Sequence, residues 1–417
     1  MSTSHVARSP GDRFLDLVRN GNHTFLTGAA GTGKTHTLRE FLQRHRDTDV
    51  TASTGVAALN VGGMTVHRWS GMLLGPPPGE DFGRFFARLV RDGRPNVRAA
   101  FNRVRRCKRL VIDEISMLPG QVFDYLDYHC RRIREDQRPF GGIQVIGTGD
   151  FLQLPPVRTN PRLAYDWAFA SAAWERACFQ SVELRRIMRQ EDVEFAHLLS
   201  RCRQGVMDRD VAAMLRPRVS LFPSKDITRL LTHNTMVNRW NAYCLGELPG
   251  PESVREAETW GPDSQVQFLE KNLLTPRELR LKPGARVMFT VNRPDEGFVN
   301  GQTGEVVSIG RATVVVASQG MELEVSPYRW RYDARDPVSA WFEQLPLRLA
   351  YAMTIHKAQG LTLESAFVDV RAAREPGQAY VALSRVTGLD GLHLKDWPKG
   401  IVVSRRALAF HFPHLKT

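Results

Sequence analysis

The chain has 417 residues, 42% of them hydrophobic and 24% charged, and its formal net charge is +13 at pH 7. Its composition lies in the globular range, and its length exceeds what one hydrophobic core usually serves, so two or more domains are expected. The positive charge, carried mostly by arginine, favours a polyanionic partner, nucleic acid first and an anionic membrane surface second. An arginine-rich composition without any such partner would give the same charge.

The cysteines and the apolar runs of the sequence bear on the cellular compartment, on zinc binding and on membrane insertion. The five cysteines are dispersed and none forms C-x-x-C, as in reduced thiols of an intracellular protein. His411 and His414 have no cysteine pair beside them, which argues against a zinc site. No run approaches the roughly 18 apolar residues of a membrane span, and the polar N-terminus lacks a secretory signal core. We therefore expect an intracellular protein, cytoplasmic and nucleoid-associated if its source is bacterial or phage.

The first part of the chain alternates predicted strands and helices. Phe82, Phe85, Phe86 and Leu89 share one face at helical spacing, which predicts an amphipathic helix that packs on the protein. The predicted elements are strand, glycine loop and helix at 23–44, strand and polar loop at 49–71, a helix at 81–93, the strand RLVIDE, a helix at 119–135 and the strand IQVIGTGD.

A second alternating series starts near residue 171 and is interrupted by short β-type runs between about 246 and 346. Strands that alternate with helices predict parallel sheets covered on both faces. The predicted fold is therefore α/β with two such sheets and a small β module inserted in the second. The predicted domains are 1–170, 171–245 together with 347–417, and the insertion 246–346.

The run GAAGTGKT at 28–35 fits G-x-x-x-x-G-K-[ST], follows a predicted strand and opens a predicted helix. In such a loop, backbone N–H groups converge on phosphate oxygens, and the helix N-terminus adds positive potential. Lys34 would reach the β- and γ-phosphates and the Thr35 hydroxyl would ligate Mg²⁺. The predicted nucleotide-binding residues of the loop are Gly28, Ala29, Gly31, Thr32, Gly33, Lys34 and Thr35.

The strand in VIDEISML at 111–118 ends in two carboxylates. Asp113 would hold Mg²⁺, and Glu114 would orient and deprotonate the attacking water, a role that burial favours by raising a carboxyl pKa. Alone, the pair could be two acidic loop residues; after a phosphate loop it predicts nucleoside triphosphate hydrolysis. Kinases, clamp loaders, transporters and helicases share these motifs, so the purpose of hydrolysis stays open.

The run GDFLQLPPV at 149–157 sets Gln153 between leucines just ahead of Pro155 and Pro156, which stiffen the backbone. After a third core strand, its amide would lie beside the phosphates and could donate to the γ-phosphate or to the attacking water. This arrangement predicts a sensor of the γ-phosphate. A solvated glutamine in a loop is the alternative.

Across residues 25–392 the sequence resembles the PIF family of superfamily 1B DNA helicases, relatives of RecD-like helicases. The matching runs, in family order, are FLTGAAGTGKT, TASTGVAALNVGGMTVHRWSG, VIDEISML, RPFGGIQVIGTGDFLQLPPV, LRRIMRQED, LPLRLAYAMTIHKAQGLTL and YVALSRVTGLDGL. The resemblance implies two RecA-like motor domains with ATP between them, and 5′–3′ translocation on single-stranded DNA. It also implies an SH3-like β insertion and a strand-separating wedge at about 72–106.

Further site residues follow from the resemblance. Arg189 and Arg385 match the arginines that complete the ATP site, although each could be a surface arginine in so basic a chain. Gln359 and Gly360 match the motif that links ATP to DNA. The candidate DNA-binding residues are Thr54, Thr65, His67, Thr232, Asn234, Thr354, His356 and Lys357, with a packed histidine as the alternative for His67. The family glutamine that reads adenine is missing from residues 11–24, which puts base selectivity in doubt.

These features predict an ATP- and Mg²⁺-dependent DNA helicase that acts on single-stranded DNA and on its junctions with duplex. The motor is expected to be a monomer, and no membrane partner is expected. Family members also act on G-quadruplexes, which no residue here reports. The alternatives are an ATP-driven translocase or remodeller that does not separate strands, a non-motor P-loop enzyme such as a kinase, and an ATP-independent nucleic-acid binder. The distal arginines and the second α/β series count against the kinase, and intact Lys34, Asp113 and Glu114 count against the last.

Overall fold

The structure is a computed structural model that describes residues 9–158, 164–190, 192–220, 224–332, 339–396 and 400–414. It divides into two compact units. The first runs to Phe151 and resumes over Pro155–Met188, and the second consists of Leu152–Leu154 and the chain from Arg189 onward. No helix in these described ranges is long and apolar enough to cross a membrane.

The first unit is built on a parallel sheet of six strands. They are β1 (Thr24–Gly28), β2 (Thr48–Ala52), β3 (Met64–Thr65), β4 (Arg109–Asp113), β5 (Gln144–Gly149) and β6 (Gln180–Leu184). Their order in the sheet is β3-β2-β4-β5-β1-β6. The helices of this unit are α1 (Pro10–Arg19), α2 (Lys34–Arg44), α3 (Gly55–Asn60), α4 (Val66–Ser70), α5 (Phe82–Asp92), α6 (Pro95–Arg106), α7 (Gly120–Arg134) and α8 (Ala172–Ala177).

The central strand β1 is buried along its whole length. All five residues of β1 are buried, as expected for a central parallel strand that is covered on both faces. Phe14 of α1 and Leu38 of α2 pack with Leu26, Val111 and Ile146 of the sheet. Helices α1 and α2 are therefore held on the strands whose ends form the predicted nucleotide site.

The structure corrects the predicted boundary between the domains. The second domain was predicted to begin at residue 171, which would place the segment that forms α8 and β6 in it. Strand β6 instead pairs in parallel with β1 at the edge of the first sheet. The first unit accordingly extends to Met188. An alternation of strands and helices in the sequence does not predict which sheet a strand joins, because strand pairing depends on contacts between residues that are far apart in the sequence.

The predicted wedge segment forms two helices, α5 and α6, that pack against α7 through aromatic rings. Phe82 and Phe85 contact Tyr125 edge to face, with ring centroids 5.3 and 5.1 Å apart. Phe86 stacks on Phe101 at 5.8 Å. The prediction that the aromatic face of 81–93 packs on the protein is confirmed, since Phe85 and Leu89 are buried.

The second unit contains fourteen strands in the described ranges. They are β7 (Thr228–Leu231), β8 (Ser253–Glu256), β9 (Glu258–Trp260), β10 (Glu278–Leu281), β11 (Arg286–Phe289), β12 (Thr303–Ile309), β13 (Val314–Ser318), β14 (Met321–Val325), β15 (Tyr328–Arg331), β16 (Trp341–Gln344), β17 (Leu347–Leu349), β18 (Ala352–Thr354), β19 (Ala366–Val368) and β20 (Leu392–Leu394). The helices of this unit are α9 (Val193–Arg203), α10 (Arg209–Leu215), α11 (Asn234–Gly246), α12 (Asp263–Asn272), α13 (Gln378–Leu383) and α14 (Arg405–His411).

These strands form one parallel sheet and three antiparallel sheets. The parallel sheet has four strands in the order β18-β7-β19-β20. The antiparallel sheets have the orders β14-β13-β12-β11-β17, β15-β16-β9 and β10-β8. The prediction of an α/β fold with two parallel sheets is therefore confirmed.

The antiparallel strands lie in the predicted insertion 246–346 with one exception. Strand β17 was assigned to the second motor, yet it pairs antiparallel with β11, and Leu347 belongs to the same apolar core as Val287 and Phe289. The insertion therefore includes β17, and the chain returns to the parallel sheet only at β18.

We predict that His129 on α7 makes the stability of the first unit depend on pH. Its Nε2 lies 2.9 Å from the Ser70 carbonyl oxygen, and its Nδ1 lies 3.2 Å from the Tyr125 hydroxyl. Burial lowers the pKa of His129 from 6.5 to about 4. Because the unfolded chain binds this proton near pH 6.5 and the folded chain does not, the contribution to stability is complete above pH 6.5 and is lost as the pH falls toward 4.

The measurement is urea denaturation of the wild type and His129→Gln at pH 7 and pH 5. The glutamine can still donate to Ser70 but does not titrate. The wild type is expected to lose about 2 kcal/mol more than the variant between the two pH values. Equal losses in the two proteins would contradict this role of His129.

Candidate functional site

The phosphate loop joins β1 to α2. Gly28 is the last residue of β1, and Gly33 caps α2 in a left-handed conformation with φ +87°. A side chain would strain the backbone there, so glycine lets the chain turn directly into the helix. The first N–H groups of α2 have no partners within the helix, which is the arrangement that binds phosphate at helix N-termini.

Lys34, the first residue of α2, turns back over the loop. Its Nζ donates to the carbonyl oxygens of Gly28 at 2.7 Å and Ala29 at 3.0 Å. The hydroxyl of Thr32 also donates to the Ala29 carbonyl at 2.9 Å, whereas Thr35 is exposed on the first turn of α2. The Lys34 ammonium group is thus bound to carbonyl oxygens of the loop, and Thr35 next to it is exposed to solvent.

The strand β6, which the sequence assigned to the other domain, supports this loop from behind. A Cβ on Gly28 would lie 2.5 Å from the Leu184 carbonyl oxygen, so only glycine allows the end of β1 to approach β6 so closely. The Met188 N–H donates to the Gly31 carbonyl oxygen at 2.7 Å. Residues 184–188 therefore contact the phosphate loop both at Gly28, where it leaves β1, and at Gly31. No local sequence motif predicts these contacts.

Two carboxylates lie at the end of β4, separated from β1 in the sheet by β5 alone. The Asp113 carboxylate accepts a hydrogen bond from the Thr148 hydroxyl of β5. Burial raises the pKa of Asp113, opposed by that hydrogen bond and by the positive charge of Lys34. The next residue, Glu114, is left-handed at φ +50°, a rare conformation for a residue with a side chain. Such strain is commonly found at functional sites.

The chemistry of these donors fits a magnesium ion. Hard divalent cations take oxygen ligands, and Mg²⁺ is usually held by one or two protein groups together with waters and phosphates. The hydroxyl of Thr35 and the carboxylate of Asp113 are such groups, at the start of α2 and the end of β4. Both follow strands of one parallel sheet, whose carboxyl ends meet at one edge.

Gln153 follows β5 but belongs to the second unit, and its side chain is only 5% exposed. Its carbonyl oxygen touches the backbone just before α13: a Cβ on Gly377 would lie 2.2 Å from it, and 2.6 Å from the Leu152 carbonyl oxygen. Gly377 is left-handed, at φ +74°. The backbone of residues 152 and 153 thus packs against the start of α13, the helix that ends just before Ser384 and Arg385.

The two predicted arginines of the second unit converge on Ser384. The Arg189 Nη1 donates to the Ser384 carbonyl oxygen at 3.2 Å, and burial lowers the pKa of Arg189. Arg385 is 1% exposed, and its guanidinium donates to the Ser384 hydroxyl at 2.7 Å and to the carbonyl oxygens of Ala358 and Leu361, each at 3.3 Å. These carbonyls flank Gln359 and Gly360, so Arg385 holds the turn that was predicted to link ATP to DNA.

The candidate DNA-binding residues of the second unit lie at the carboxyl edge of its parallel sheet. Strands β7 and β18 are neighbours there, and the Ile355 N–H donates to the Leu231 carbonyl oxygen at 2.9 Å. This pairing places Thr232 beside the residues that follow Thr354. Thr354 is buried, and its hydroxyl accepts the Lys357 N–H at 3.2 Å.

Three of these candidates differ in how far they reach solvent. Asn234 opens α11 and His356 follows β18, and both are exposed, whereas Lys357 is half-buried. Burial and the positive charge of Arg348 lower the pKa of Lys357. The edge therefore offers an amide, an imidazole and an ammonium group from two neighbouring loops.

The candidates of the first unit lie at the corresponding edge of its sheet. Strands β2 and β3 pair so that Ala52 faces Thr65. Thr54 caps α3 and Thr65 caps α4, each hydroxyl accepting a backbone N–H, at 3.2 and 3.3 Å. His67 is half-buried, and burial lowers its pKa, so it is neutral at pH 7. Both threonines thus cap a helix, and neither hydroxyl donates to another group in the described part of the chain.

The comparisons with known proteins agree with this geometry. The family model described as PIF1-like helicase matches residues 15–211. The chain is 38% identical over 404 residues to the ATP-dependent DNA helicase Pif1 of Bdellovibrio bacteriovorus. The alignment covers 95% of this chain and 90% of that protein. The chain belongs to the PIF1-like helicase family. The assignment to the PIF family from sequence motifs is therefore confirmed.

Other members of the family extend the match. The chain is 38% identical to the human ATP-dependent DNA helicase PIF1, with 95% of this chain aligned, and spans 62% of the length of that protein. A crystal structure of Bacteroides sp Pif1 in complex with ADP-AlF4 superposes with a TM-score of 0.85 at 28% identity, covering 99% of this chain and 97% of that one. A Bacteroides Pif1 structure with ADP-AlF3 and single-stranded DNA gives a TM-score of 0.66 at 29% identity, covering 98% and 97%.

The sequence motifs of this PIF1-like chain predicted the candidate site residues but not the residues that position them. Thr148, which binds Asp113, and Leu184, which supports Gly28, were assigned no role. Gly377 had a weak local signal, because glycine is the residue that most readily adopts a left-handed backbone conformation. Its contact with Gln153 joins residues 224 positions apart (377 − 153), and no local pattern reports such a contact.

We predict that Gly377→Ala weakens the catalytic step more than it weakens DNA binding. The added methyl group overlaps the Gln153 carbonyl, so the Gln153 segment must move. We expect ATP turnover in the presence of single-stranded DNA to fall at least about tenfold, with destabilisation of about 2 kcal/mol or more. DNA affinity without nucleotide is expected to change less than about twofold, since the candidate DNA-binding residues are untouched.

The matched control is Gly320→Ala. Gly320 has nearly the same backbone conformation, φ +78°, but a Cβ there meets no atom within 4 Å. It carries the conformational cost without the overlap. Equal turnover in the two variants would show that seating Gln153 on α13 has no part in catalysis.

Proposed function

We propose that this chain is an ATP-dependent DNA helicase that translocates 5′ to 3′ on single-stranded DNA and separates strands at junctions with duplex. The observation that carries the proposal is the carboxyl edge of the first sheet. There β1 and β4 deliver Lys34, Asp113 and Glu114 to either side of β5. Family membership joins this hydrolytic site to DNA, which the +13 charge also favours.

In the proposed mechanism the phosphate loop binds the triphosphate of ATP. The N–H groups at the start of α2 donate to phosphate oxygens, and Lys34 exchanges its two carbonyl partners for the β- and γ-phosphates. Mg²⁺, when bound, neutralises charge on these phosphates. Thr35 and Asp113 would hold it, with Thr148 fixing the orientation of the Asp113 carboxylate.

Glu114 is the proposed general base. It follows Asp113 directly, and the left-handed backbone turns its side chain away from the direction that an extended strand would give it. The Ser53 hydroxyl donates to the Glu114 carbonyl oxygen at 2.6 Å and supports this strained conformation. A carboxylate directly after Asp113 could orient the attacking water and take its proton.

Gln153, Arg189 and Arg385 are proposed to report the state of the phosphates. Arg189 and Arg385 share Ser384, and Arg385 also holds the turn at 358–361 through backbone carbonyls. A shift of the Arg385 guanidinium toward a phosphate would break its bonds to Ala358 and Leu361 and release the turn beside the DNA-binding edge. This connection supports a role for Gln359 and Gly360 in coupling.

DNA contact is proposed at the carboxyl edges of both parallel sheets. Thr54, Thr65 and Thr354 use their lone pairs to accept backbone N–H groups and keep O–H protons that can donate to phosphate oxygens. Such neutral contacts can be released and remade at each step. The other neutral candidates are His67, Thr232, Asn234 and His356, and Lys357 adds a charge that is sensitive to salt.

The wedge assignment is a further part of the proposal. Helices α5 and α6 form a two-helix element that aromatic contacts fix on α7. Separating one base-pair step opposes about 1.4 kcal/mol of stacking, and a rigid element resists the returning strand better than a mobile loop. An intracellular location is proposed as well, supported by five free cysteines.

The test measures ATP hydrolysis with and without single-stranded DNA, then unwinding of duplexes that carry only a 5′ or only a 3′ tail. Strong stimulation with unwinding from the 5′ tail alone is the expected result. Stimulation without unwinding would favour an ATP-driven translocase or remodeller. Hydrolysis that does not respond to DNA would overturn the helicase assignment.

We predict that Glu114→Gln separates binding from hydrolysis. The amide has the same shape but cannot take a proton, so DNA-stimulated turnover should fall by about 10²-fold or more, while affinity for a fluorescent ATP analogue and for single-stranded DNA should stay within about twofold. Glu40→Gln is the control, because Glu40 is exposed on α2. Turnover by Glu114→Gln at the wild-type rate would exclude Glu114 as the base.

A further inference from the structure

Helices α5 and α6 carry a large share of the positive charge of the chain. Residues 82–106 contain eight arginines and a single acidic residue, Asp92. Their net charge is therefore +7 (8 − 1), out of +13 for all 417 residues. Like charges that are crowded into one short segment repel one another, so an anionic partner would stabilise this arrangement.

Five of the eight arginines face solvent without an ion pair. Arg88 and Arg94 pair with Glu80 and Asp92, and Arg103 donates to backbone carbonyl oxygens. The other five are exposed, and within the described ranges no carboxylate pairs with them. We call these five residues the arginine surface, and they are Arg84, Arg91, Arg98, Arg105 and Arg106.

The arginine surface forms two rows on neighbouring helices. Arg84 and Arg91 are seven positions apart on α5, as are Arg98 and Arg105 on α6, so each pair lies on one helix face about 10 Å apart along the axis. The rows approach each other at the turn between the helices. A Cβ on Gly93 would lie 3.2 Å from the Arg98 Nη2 and 3.7 Å from the Arg91 carbonyl oxygen. About 10 Å is the rise of roughly three nucleotides along one strand of a DNA duplex.

Helix α6 is anchored on the helix that carries candidate DNA-binding residues of the first unit. Arg103 of α6 donates to two carbonyl oxygens at the C-terminus of α4, at 2.9 and 3.3 Å. A Cβ on Gly71, which ends α4, would lie 2.7 Å from the Ala100 Cβ of α6. Helix α4 is capped by Thr65 and contains His67. The arginine surface is therefore one helix away from the single-strand contacts proposed for this unit.

The aromatic rings of the segment bear on which form of DNA the arginine surface fits. Proteins that bind single strands without sequence preference stack the bases on aromatic side chains. None of the four rings of α5 and α6 is exposed, because they pack on one another and on α7. The surface thus offers guanidinium groups, which contact phosphates, and a duplex presents its phosphates on the outside at a regular spacing.

We propose that the arginine surface binds the sugar–phosphate backbone of the duplex arm at a junction between single-stranded and duplex DNA. A guanidinium donates two parallel N–H groups to phosphate oxygens, and such contacts carry no sequence preference. The duplex is thereby held against the predicted wedge helices while its strands separate. The inference rests on the proposed helicase function and assigns a partner to the outer faces of α5 and α6.

The test compares a fluorescent oligothymidylate with a hairpin duplex that carries the same oligothymidylate as a 5′ tail. The full chain is titrated without nucleotide, and anisotropy is measured at several salt concentrations. Arg98→Gln/Arg105→Gln should bind the tailed hairpin about tenfold more weakly at low salt than the wild type. Its slope of log affinity against log salt should become shallower by up to about 1.8, the contribution of two phosphate contacts on a duplex. Affinity for the oligothymidylate alone should change less than about twofold.

The matched control is Arg405→Gln/Arg406→Gln, which removes two exposed arginines from α14 in the second unit. It removes the same charge, so any effect of net charge alone should weaken both DNAs equally, by less than about twofold. Arg98→Lys/Arg105→Lys keeps the charge and should retain most of the salt slope. Because the replaced side chains are exposed, the melting temperatures should stay within about 2 °C of the wild type.

Three results would overturn the proposal. Equal weakening of both DNAs by Arg98→Gln/Arg105→Gln would place these arginines on the single-strand path. No weakening of either would leave the arginine surface with solvent alone. Weaker binding to vesicles of anionic lipid, with the tailed hairpin unaffected, would assign it to a membrane. Hydrolysis that does not respond to DNA would overturn the helicase function, whereas the binding measurements require no hydrolysis and test the arginine surface separately.

Discussion

Parallel pairing of β5 with both β1 and β4 is the constraint on which the rest of the structure depends. Parallel strands end at the same edge of a sheet, so this pairing brings the phosphate loop to the carboxylates of Asp113 and Glu114, which are far from it in sequence. It also lets Thr148 of β5 donate to the Asp113 carboxylate. With another strand order, the same motifs would lie apart and could not form the proposed hydrolytic site.

Three charged side chains of this fold differ in how their charge is accommodated. Asp113 takes a hydrogen bond from Thr148, and the positive charge of Lys34 also favours its ionised form. Arg385 donates to backbone carbonyls of its own unit, so its position is coupled to the turn at 358–361. Arg348 has two buried nitrogens that meet no hydrogen-bond acceptor among the described residues.

Gln153 lies where the chain passes between the two units. The strand that precedes it belongs to the first unit, while residues 152–154 belong to the second and are seated on Gly377. The prolines that follow restrict how far the segment can bend. In the proposed sensor role, a displacement of Gln153 would therefore act directly on the start of α13, the helix that precedes Ser384 and Arg385.

The sequence by itself determined the two parallel α/β sheets, the family, and the charged residues at the strand ends, because strand periodicity and the phosphate-loop spacing are local properties. Only the tertiary structure decided that β6 supports the phosphate loop, that β17 belongs to the inserted sheet, and that Gly377 seats Gln153. It also decided which buried charges have partners. These features depend on contacts between residues far apart in the chain, and strand pairing and burial are settled only when the whole fold packs together.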